Sequence, residues 1–263
     1  MIKAGLIGGS GMYDFEGFQF REKKKCPTPY GEPSDEFYKA VYKDCEVYFL
    51  PRHGSSHTTP PHKINYRANL WAFKELGVNT IITIGAVGGI ADTLKPGDLV
   101  IPDQIIDFTA ETRSSTFFDG PEVVHIDFTE PYCEETRSTL IKAAASKNIK
   151  IHTKGTYAAS QGPRLETSAE IKALKILGAH VVGMTGMPEA ALARELGICF
   201  AMIAVVTNYA AGISRQKLTT TEVINVMNMS KEKVKTLIKE SFSLLPQEKH
   251  CECRHYLADA KMN

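Results

Sequence analysis

Residues 5–14 read GLIGGSGMYD: an apolar run that starts near the N-terminus and breaks into Gly8, Gly9, Ser10 and Gly11. A short apolar segment ending in clustered glycine is the pattern of a buried strand entering a turn. Glycines let backbone N–H groups approach an anion closely, and a serine hydroxyl adds a donor, so phosphate binding is physically natural here. A plain tight turn fits as well. The dinucleotide fingerprint fits badly, because the spacing set by Gly9 and Gly11 should reach a third glycine where Asp14 stands.

The same alternation runs outward along the chain. Apolar, β-branched runs predict strands at 2–7, 45–51, 79–84, 98–105, 151–158, 180–184 and 199–207. Between them, helical spacing predicts helices at 66–76 before Gly77, 134–147, 168–177 before Gly178, 188–196 before Gly197, and 221–244. Strands alternating with helices imply an α/β domain with a largely parallel sheet. No repeat, low-complexity segment or linker interrupts the 263 residues, which read as one domain, 1–263, with a tail from about residue 247 that carries no reading. Residues 108–131, polar with interspersed aromatics, read as a long loop of the kind that is usually functional.

Composition narrows the partners. The 31 basic and 30 acidic residues are mixed along the chain and leave a formal charge of +1, which argues against nucleic acid and favours a small neutral-to-anionic ligand. No apolar stretch approaches the roughly 20 residues that span a bilayer, and the first strand begins at once, leaving no room for a signal peptide, so a cytoplasmic protein is expected. Six cysteines at irregular spacing, with no C-x-x-C pair, suggest neither a disulfide scaffold nor zinc and read as core or surface thiols. The Cys251–Cys253 C-x-C pair is unusual, since a bridge across it would close a strained loop.

Further motifs stand at strand ends. In YFLPRHGSSH (48–57), Arg52 offers a fork suited to phosphate oxygens and His53 a neighbouring imidazole that can donate to the same anion; a solvated surface pair is the plainer reading. TIGAVGGI (83–90) reads as a strand running into a glycine-rich turn whose Gly85 and Ala86 N–H groups could complete an oxyanion cradle, or as close strand-to-helix packing. In SQGPRLETSAEI (160–171), Glu166 precedes a helix begun by Thr167 or Ser168, and by itself favours a helix-start role over ligand binding. VVGMTGMPEA (181–190) sets Met184 and Thr185 between Gly183 and Gly186, where the methionine is either core or an apolar floor for a sugar. VVTNYAAG (205–212) ends a strand on Asn208, an amide that could bond its own turn.

Taken in order, GLIGGSGMYD, RHGSSHTTPPHKINYRANLWA, GAVGGIADTLKPGDLVIPDQIIDFT, HIDFTEPYC, KGTYAASQGPRLET, GMTGMPEAALARELGICFA and VTNYAAG resemble the trimeric purine nucleoside phosphorylases, in the methylthioadenosine phosphorylase branch, up to about residue 245. The resemblance implies an α/β nucleoside phosphorylase fold with a central mixed sheet, no metal, no organic cofactor, and phosphate as second substrate. Carried over by position, it implies a phosphate site of Ser10, Arg52, His53, Gly85, Ala86 and Thr185, with Met184 against the ribose. The branch often has threonine where Gly85 stands. His125 resembles a residue that reaches the ribose 5′ side of a neighbouring subunit, which implies a homotrimer, or a dimer of trimers, with shared sites.

Phosphorolysis passes through an oxocarbenium-like ribosyl group, so the protein must hold phosphate against C1′ and stabilise negative charge building on the departing purine. Asn208, Glu166 and His53 are the candidate catalytic residues. The Asn208 amide can donate to N7 or the 6-oxygen, and the Glu166 carboxylate can accept the N1–H of a 6-oxopurine. Adenine-specific members of the branch carry aspartates at the positions of Asn208 and Ala210, so the expectation is a 6-oxopurine nucleoside: inosine, guanosine or 5′-methylthioinosine. Tyr209, Ala210 and Thr221 complete the candidate substrate wall. The competing readings are a methylthioadenosine phosphorylase, a dinucleotide oxidoreductase and a non-catalytic nucleoside-binding module.

Overall fold

The computed structural model describes residues 1–8, 22–109, 112–214, 218–258 and 260–262. Its elements are β1 (Ile2–Gly8), β2 (Glu22–Lys24), β3 (Phe37–Tyr42), β4 (Cys45–Pro51), α1 (Tyr66–Glu75), β5 (Thr80–Gly89), β6 (Leu99–Val100), β7 (Gln104–Asp107), α2 (Glu134–Ser146), β8 (Thr156–Ala159), α3 (Ser168–Ile176), β9 (Val181–Gly183), α4 (Gly186–Glu195), β10 (Cys199–Tyr209) and α5 (Thr220–Leu244). The strands form one mixed sheet in the order β2-β3-β4-β1-β5-β9-β8-β7, with β10 also on β5 and β6 on β10.

Both faces of the central strands are apolar, as expected where helices cover a parallel sheet on two sides. Along β10, Phe200, Met202, Ala204 and Val206 join the cluster that holds Leu70 and Phe73 of α1 and Ala190 and Leu192 of α4. The alternate residues Ala201, Ile203 and Val205 join Leu140 and Ala143 of α2 and Val234, Leu237 and Ile238 of α5 on the opposite face. The two-residue period of the strand therefore assigns the helices to layers. A smaller cluster seats Ile171 and Leu174 of α3 against Ala158 and Val182.

The predicted helices stand within two residues of their expected ends, and α1 and α3 close before Gly77 and Gly178 with positive φ. The strands depart more. The expected strand at 98–105 is two, β6 and β7, because Pro102 has no N–H to continue a ladder. The run at 151–158 is extended only from Thr156, with His152 making an isolated bridge to Val100. Strands β2 and β3 were not expected; they make the antiparallel edge next to β4.

Register decides where a site can form. β5 pairs with β10 from Thr80 to Gly89, while its other edge pairs with β1 only over Thr80–Thr83 and with β9 only at Gly88 and Gly89. Among the described residues, 84–87 of β5 therefore face a gap between the carboxyl end of β1 and the antiparallel strand β9, the place where open α/β sheets bind ligands. Among the described residues no helix is long and apolar enough to cross a membrane.

Candidate active site

Arg52 and His53 follow β4 directly, and the Arg52 N–H donates to the Gly8 carbonyl at 3.0 Å, so both sit at the carboxyl ends of β1 and β4. The Arg52 side chain is buried, not a surface group, at 1% exposure. Its Nε donates to Glu189 Oε1 at 2.5 Å, Nη2 donates to Glu189 Oε2 at 3.2 Å and to the Thr83 hydroxyl, and Nη1 donates to the Ile84 carbonyl at 3.1 Å. Thr83 in turn donates to Glu189 Oε2 at 2.9 Å. The fork thus faces a carboxylate of α4, and one Nη1–H is left over from these bonds. Burial opposes the charge on Arg52, but Glu189 outweighs it and holds the guanidinium protonated.

His53 departs from its expected role as a donor. Its Nδ1 lies 2.8 Å from the Thr59 carbonyl oxygen, which can only accept, so the ring proton of the neutral imidazole is on Nδ1 and Nε2 presents a lone pair. Burial, reinforced by the Arg52 charge, pushes the imidazole down to about 4 despite the Thr59 bond. His53 is therefore neutral near pH 7 and can accept, not donate, at Nε2.

Gly85 and Ala86 lie within β5 and not in a turn. The Ile84 carbonyl points to the Arg52 side of the strand, so by strand alternation the Ala86 amide shares that side and the Gly85 amide points into the β10 ladder. Only Ala86 of the two offers its N–H to the gap. A Cβ on Gly85 would stand 2.7 Å from Met202 Cε and 3.8 Å from Thr185 Oγ1, so the Met202 methyl fills the space that a threonine at 85 would need.

Thr185 precedes α4, and its N–H and that of Gly186 donate to the buried Tyr157 hydroxyl at 3.2 and 3.1 Å. Tyr157 fits under this turn because Gly183 and Gly186 lack side chains; a Cβ at either would stand 2.6–2.7 Å from the tyrosine. Arg113, from the loop before α2, clasps the same turn: Nη1 donates to the carbonyls of Met184 at 2.6 Å and Met187 at 2.8 Å, and Nη2 to that of Gln161 at 2.6 Å. Met184 is half-buried and its sulfur lies where a Cβ on Gly162 would go.

Glu166 is not the helix start. Thr167 caps α3 in a capping box with Glu170, and Glu166 instead accepts at Oε1 from the Ser160 hydroxyl at the end of β8. Asn208 is buried beside Gly88 of β5. It accepts at Oδ1 from the Thr207 hydroxyl at 2.8 Å and donates from Nδ2 to the Tyr209 carbonyl at 2.9 Å, so it does bond its own turn. Those bonds fix which way the amide points: exchanging its ends would set Oδ1 against the Tyr209 carbonyl, two acceptors face to face. The second Nδ2–H stays outside the turn. Gly212, at φ +78°, brings the following segment so close to Ser168 that a Cβ there would lie 2.7 Å from the serine Cβ, which joins the ends of β10 and α3. Tyr209 is half-buried and Ala210 buried.

The structure thus gathers Arg52, His53, Ala86 and Thr185 around the β5 gap, and Met184, Glu166, Asn208 and Ala210 along the adjoining strand ends. Ser10 lies outside the described residues. His125 is exposed, its N–H bonded to the Ala260 carbonyl, and Thr221 is exposed in the first turn of α5; neither belongs to the Arg52 or Tyr157 network. Glu189, Thr83, Tyr157 and Arg113 were not anticipated. Glu189 had a signal, an acidic residue on the same stripe as Leu192 and Ala193 of α4.

Residues 3–243 match the family model of the Phosphorylase superfamily. The chain is 51% identical to the 6-oxopurine nucleoside phosphorylase of Pyrococcus furiosus, over 99% of each chain. It is 49% identical to a probable S-methyl-5′-thioinosine phosphorylase of Thermodesulfovibrio yellowstonii, over 98% of this chain and 97% of that one. A solved methylthioadenosine phosphorylase of Schistosoma mansoni, in complex with adenine, superposes with a TM-score of 0.94 at 32% identity, covering 100% of this chain and 99% of that one.

Two outcomes follow from the buried charges. Glu189→Gln leaves the Arg52 guanidinium buried without a counter-charge and should lower unfolding free energy in urea by about 3–5 kcal/mol; a loss below about 1 kcal/mol would contradict the pairing. The folded-state pKa of His53, about 4, is below its ordinary 6.5, so its contribution is complete above pH 6.5 and lost as pH falls toward 4. Between pH 7 and 5 the protein should lose about 1–2 kcal/mol more stability than its His53→Gln variant, and equal slopes would show that His53 is not held neutral.

Proposed function

The chain belongs to the Phosphorylase superfamily, and on that premise we propose that it cleaves the N-glycosidic bond of 6-oxopurine nucleosides with inorganic phosphate. The products are free purine and ribose 1-phosphate or its 5-methylthio form. The observation that carries the reading is the Asn208 amide, locked by Thr207 and Tyr209 with its NH₂ end fixed, beside a buried alanine at 210.

A 6-oxopurine presents acceptors at N7 and O6 and a donor at N1. The second Nδ2–H of Asn208 meets the first edge and Glu166 the second, with Ser160 orienting the carboxylate so that Oε2 is left for the base. As the glycosidic bond breaks, electron density moves onto the purine, and a donor at N7 or O6 strengthens as that charge grows. Adenine inverts the pattern: its 6-amino group would face the Asn208 donor, and its N1 lone pair the Glu166 carboxylate. The buried Ala210 offers no carboxylate to accept that amine, which weighs against the methylthioadenosine reading.

Phosphate takes the gap beside β5 in this account. The Ala86 N–H, the Thr185 hydroxyl and the remaining Arg52 Nη1–H are its donors, the Ser10 hydroxyl joins them on the family likeness alone, and neutral His53 accepts at Nε2 from the P–OH of hydrogen phosphate. Glu189 has a positioning role, holding the planar guanidinium fixed against Thr83. Met184, held at its carbonyl by Arg113, supplies the ribose floor. The nucleophile is phosphate itself, so the reaction needs no organic cofactor and no metal. Nucleosides with a 5′-hydroxyl or a 5′-methylthio group both fall within the reading, as the names of the two relatives do. The reading extends to a homotrimer, or a dimer of trimers, in which His125 reaches the ribose 5′ side of a neighbour; its support is the family likeness and the exposure of His125.

Asn208→Asp, alone and with Ala210→Asp, tests the base reading. The double variant should shift the kcat/KM ratio of adenosine over inosine upward by about 10²-fold or more. An unchanged ratio in a folded double variant would overturn the role of Asn208.

A further inference from the structure

Cysteines that the sequence scatters over three segments come together at the end of the sheet opposite the active site. Cys133 is the residue before α2, Cys199 opens β10, and Cys251 and Cys253 lie in the tail around a short 3₁₀ turn, Glu252–Arg254. All four Sγ atoms lie within 4.8 Å of one another, with Cys199 and Cys251 3.3 Å apart. The four are free thiols, three of them buried, as the reading of core or surface thiols expects, but the sequence did not show that they meet; Cys26 and Cys45 stand elsewhere.

We propose that Cys133, Cys199, Cys251 and Cys253 form a tetrathiolate site for a zinc-class divalent cation that clamps the C-terminal segment to the sheet. Four sulfurs about 2.3 Å from a tetrahedral zinc stand about 3.8 Å from each other, a spacing that falls between the 3.3 Å of Cys199 and Cys251 and the 4.8 Å within which all four sulfurs lie. Two disulfides would instead draw the set into two pairs at about 2.05 Å. Three of the cysteines are buried and Cys251 is partly so, as in a closed structural site with no open position. Binding replaces four S–H protons, which leave to solvent, by one divalent ion. The complex carries a net charge of −2, and the amino end of α2 at Cys133 contributes partial positive charge beside it.

The clamp has mechanical reach. Gly197, in the turn between α4 and β10, lies so near the tail that a Cβ there would stand 3.3 Å from the Cys253 carbonyl oxygen and from Arg254 Cα. Tyr256 packs against the thiols and carries the Arg194 guanidinium 3.9 Å over its ring. Beyond it the chain pairs Lys261 with Val124 and accepts the His125 N–H at Ala260. The clamp would therefore fix the far end of the loop before α2 through the tail.

The test is made on the whole chain, purified under reducing, anaerobic conditions and stripped of metal. Titration with Co²⁺ should give thiolate-to-cobalt charge-transfer bands and the intense visible bands of a tetrahedral site, saturating at about one ion per chain and displaced by Zn²⁺. Zinc should raise the melting temperature and slow amide exchange in 247–262 and 121–126. Cys253→Ser should lose the cobalt spectrum, while Cys26→Ser should keep it. No cobalt or zinc binding by the reduced wild-type chain would overturn the proposal. So would protein purified without reductant that carries no metal and, once unfolded, shows only Cys26 and Cys45 as free thiols, since the cluster would then be two disulfides.

Discussion

Strand β5 has one continuous neighbour and one divided one, and the site depends on that division. β10 accompanies it throughout, whereas its other edge passes from parallel β1 to antiparallel β9 with residues 84–87 between them. An unpaired edge inside a sheet leaves backbone groups that need partners. Here Arg52 takes the Ile84 carbonyl, and among the described residues the Ala86 amide faces the gap. Bringing the guanidinium there requires a counter-charge, which Glu189 supplies from α4, and α4 in turn is seated by the Tyr157 hydroxyl under its first turn. A strand edge, a buried ion pair and a helix start are thus one linked unit.

That linkage bears on the chemistry. Removing either partner of a buried pair costs far more than an exposed one, so Arg52 is held in one place before any ligand arrives, as the proposed phosphate site requires. Reorganisation is completed on folding, which is what electrostatic preorganisation means for a reaction that needs positioning more than covalent help. The base end follows the same logic on a smaller scale, with Thr207 and Tyr209 setting the amide of Asn208 before any purine arrives.

Much of this was legible in the sequence, and what was not has physical reasons. Helices α1 and α3 announced their ends through Gly77 and Gly178, because positive φ there favours glycine. The glycines of 85–89 misled, since a glycine required by a close neighbour, Met202 or Val206, looks the same in sequence as one required by a turn. Arg52 was visible as a candidate site residue, but its partner Glu189, 137 residues away, was not, because ion pairing across a fold leaves no local pattern. The meeting of the four cysteines was not legible for the same reason: side chains drawn from three segments have no spacing rule.

The most direct measurement is the phosphate dependence and base selectivity of the unaltered enzyme. With inorganic phosphate, it should release hypoxanthine from inosine or 5′-methylthioinosine with kcat/KM about 10²-fold or more above adenine release from the matching adenosine compound, and without phosphate it should release neither. Equal or greater adenine release would contradict the reading of Asn208 and Ala210, and base release independent of phosphate would contradict the reading of the gap beside β5.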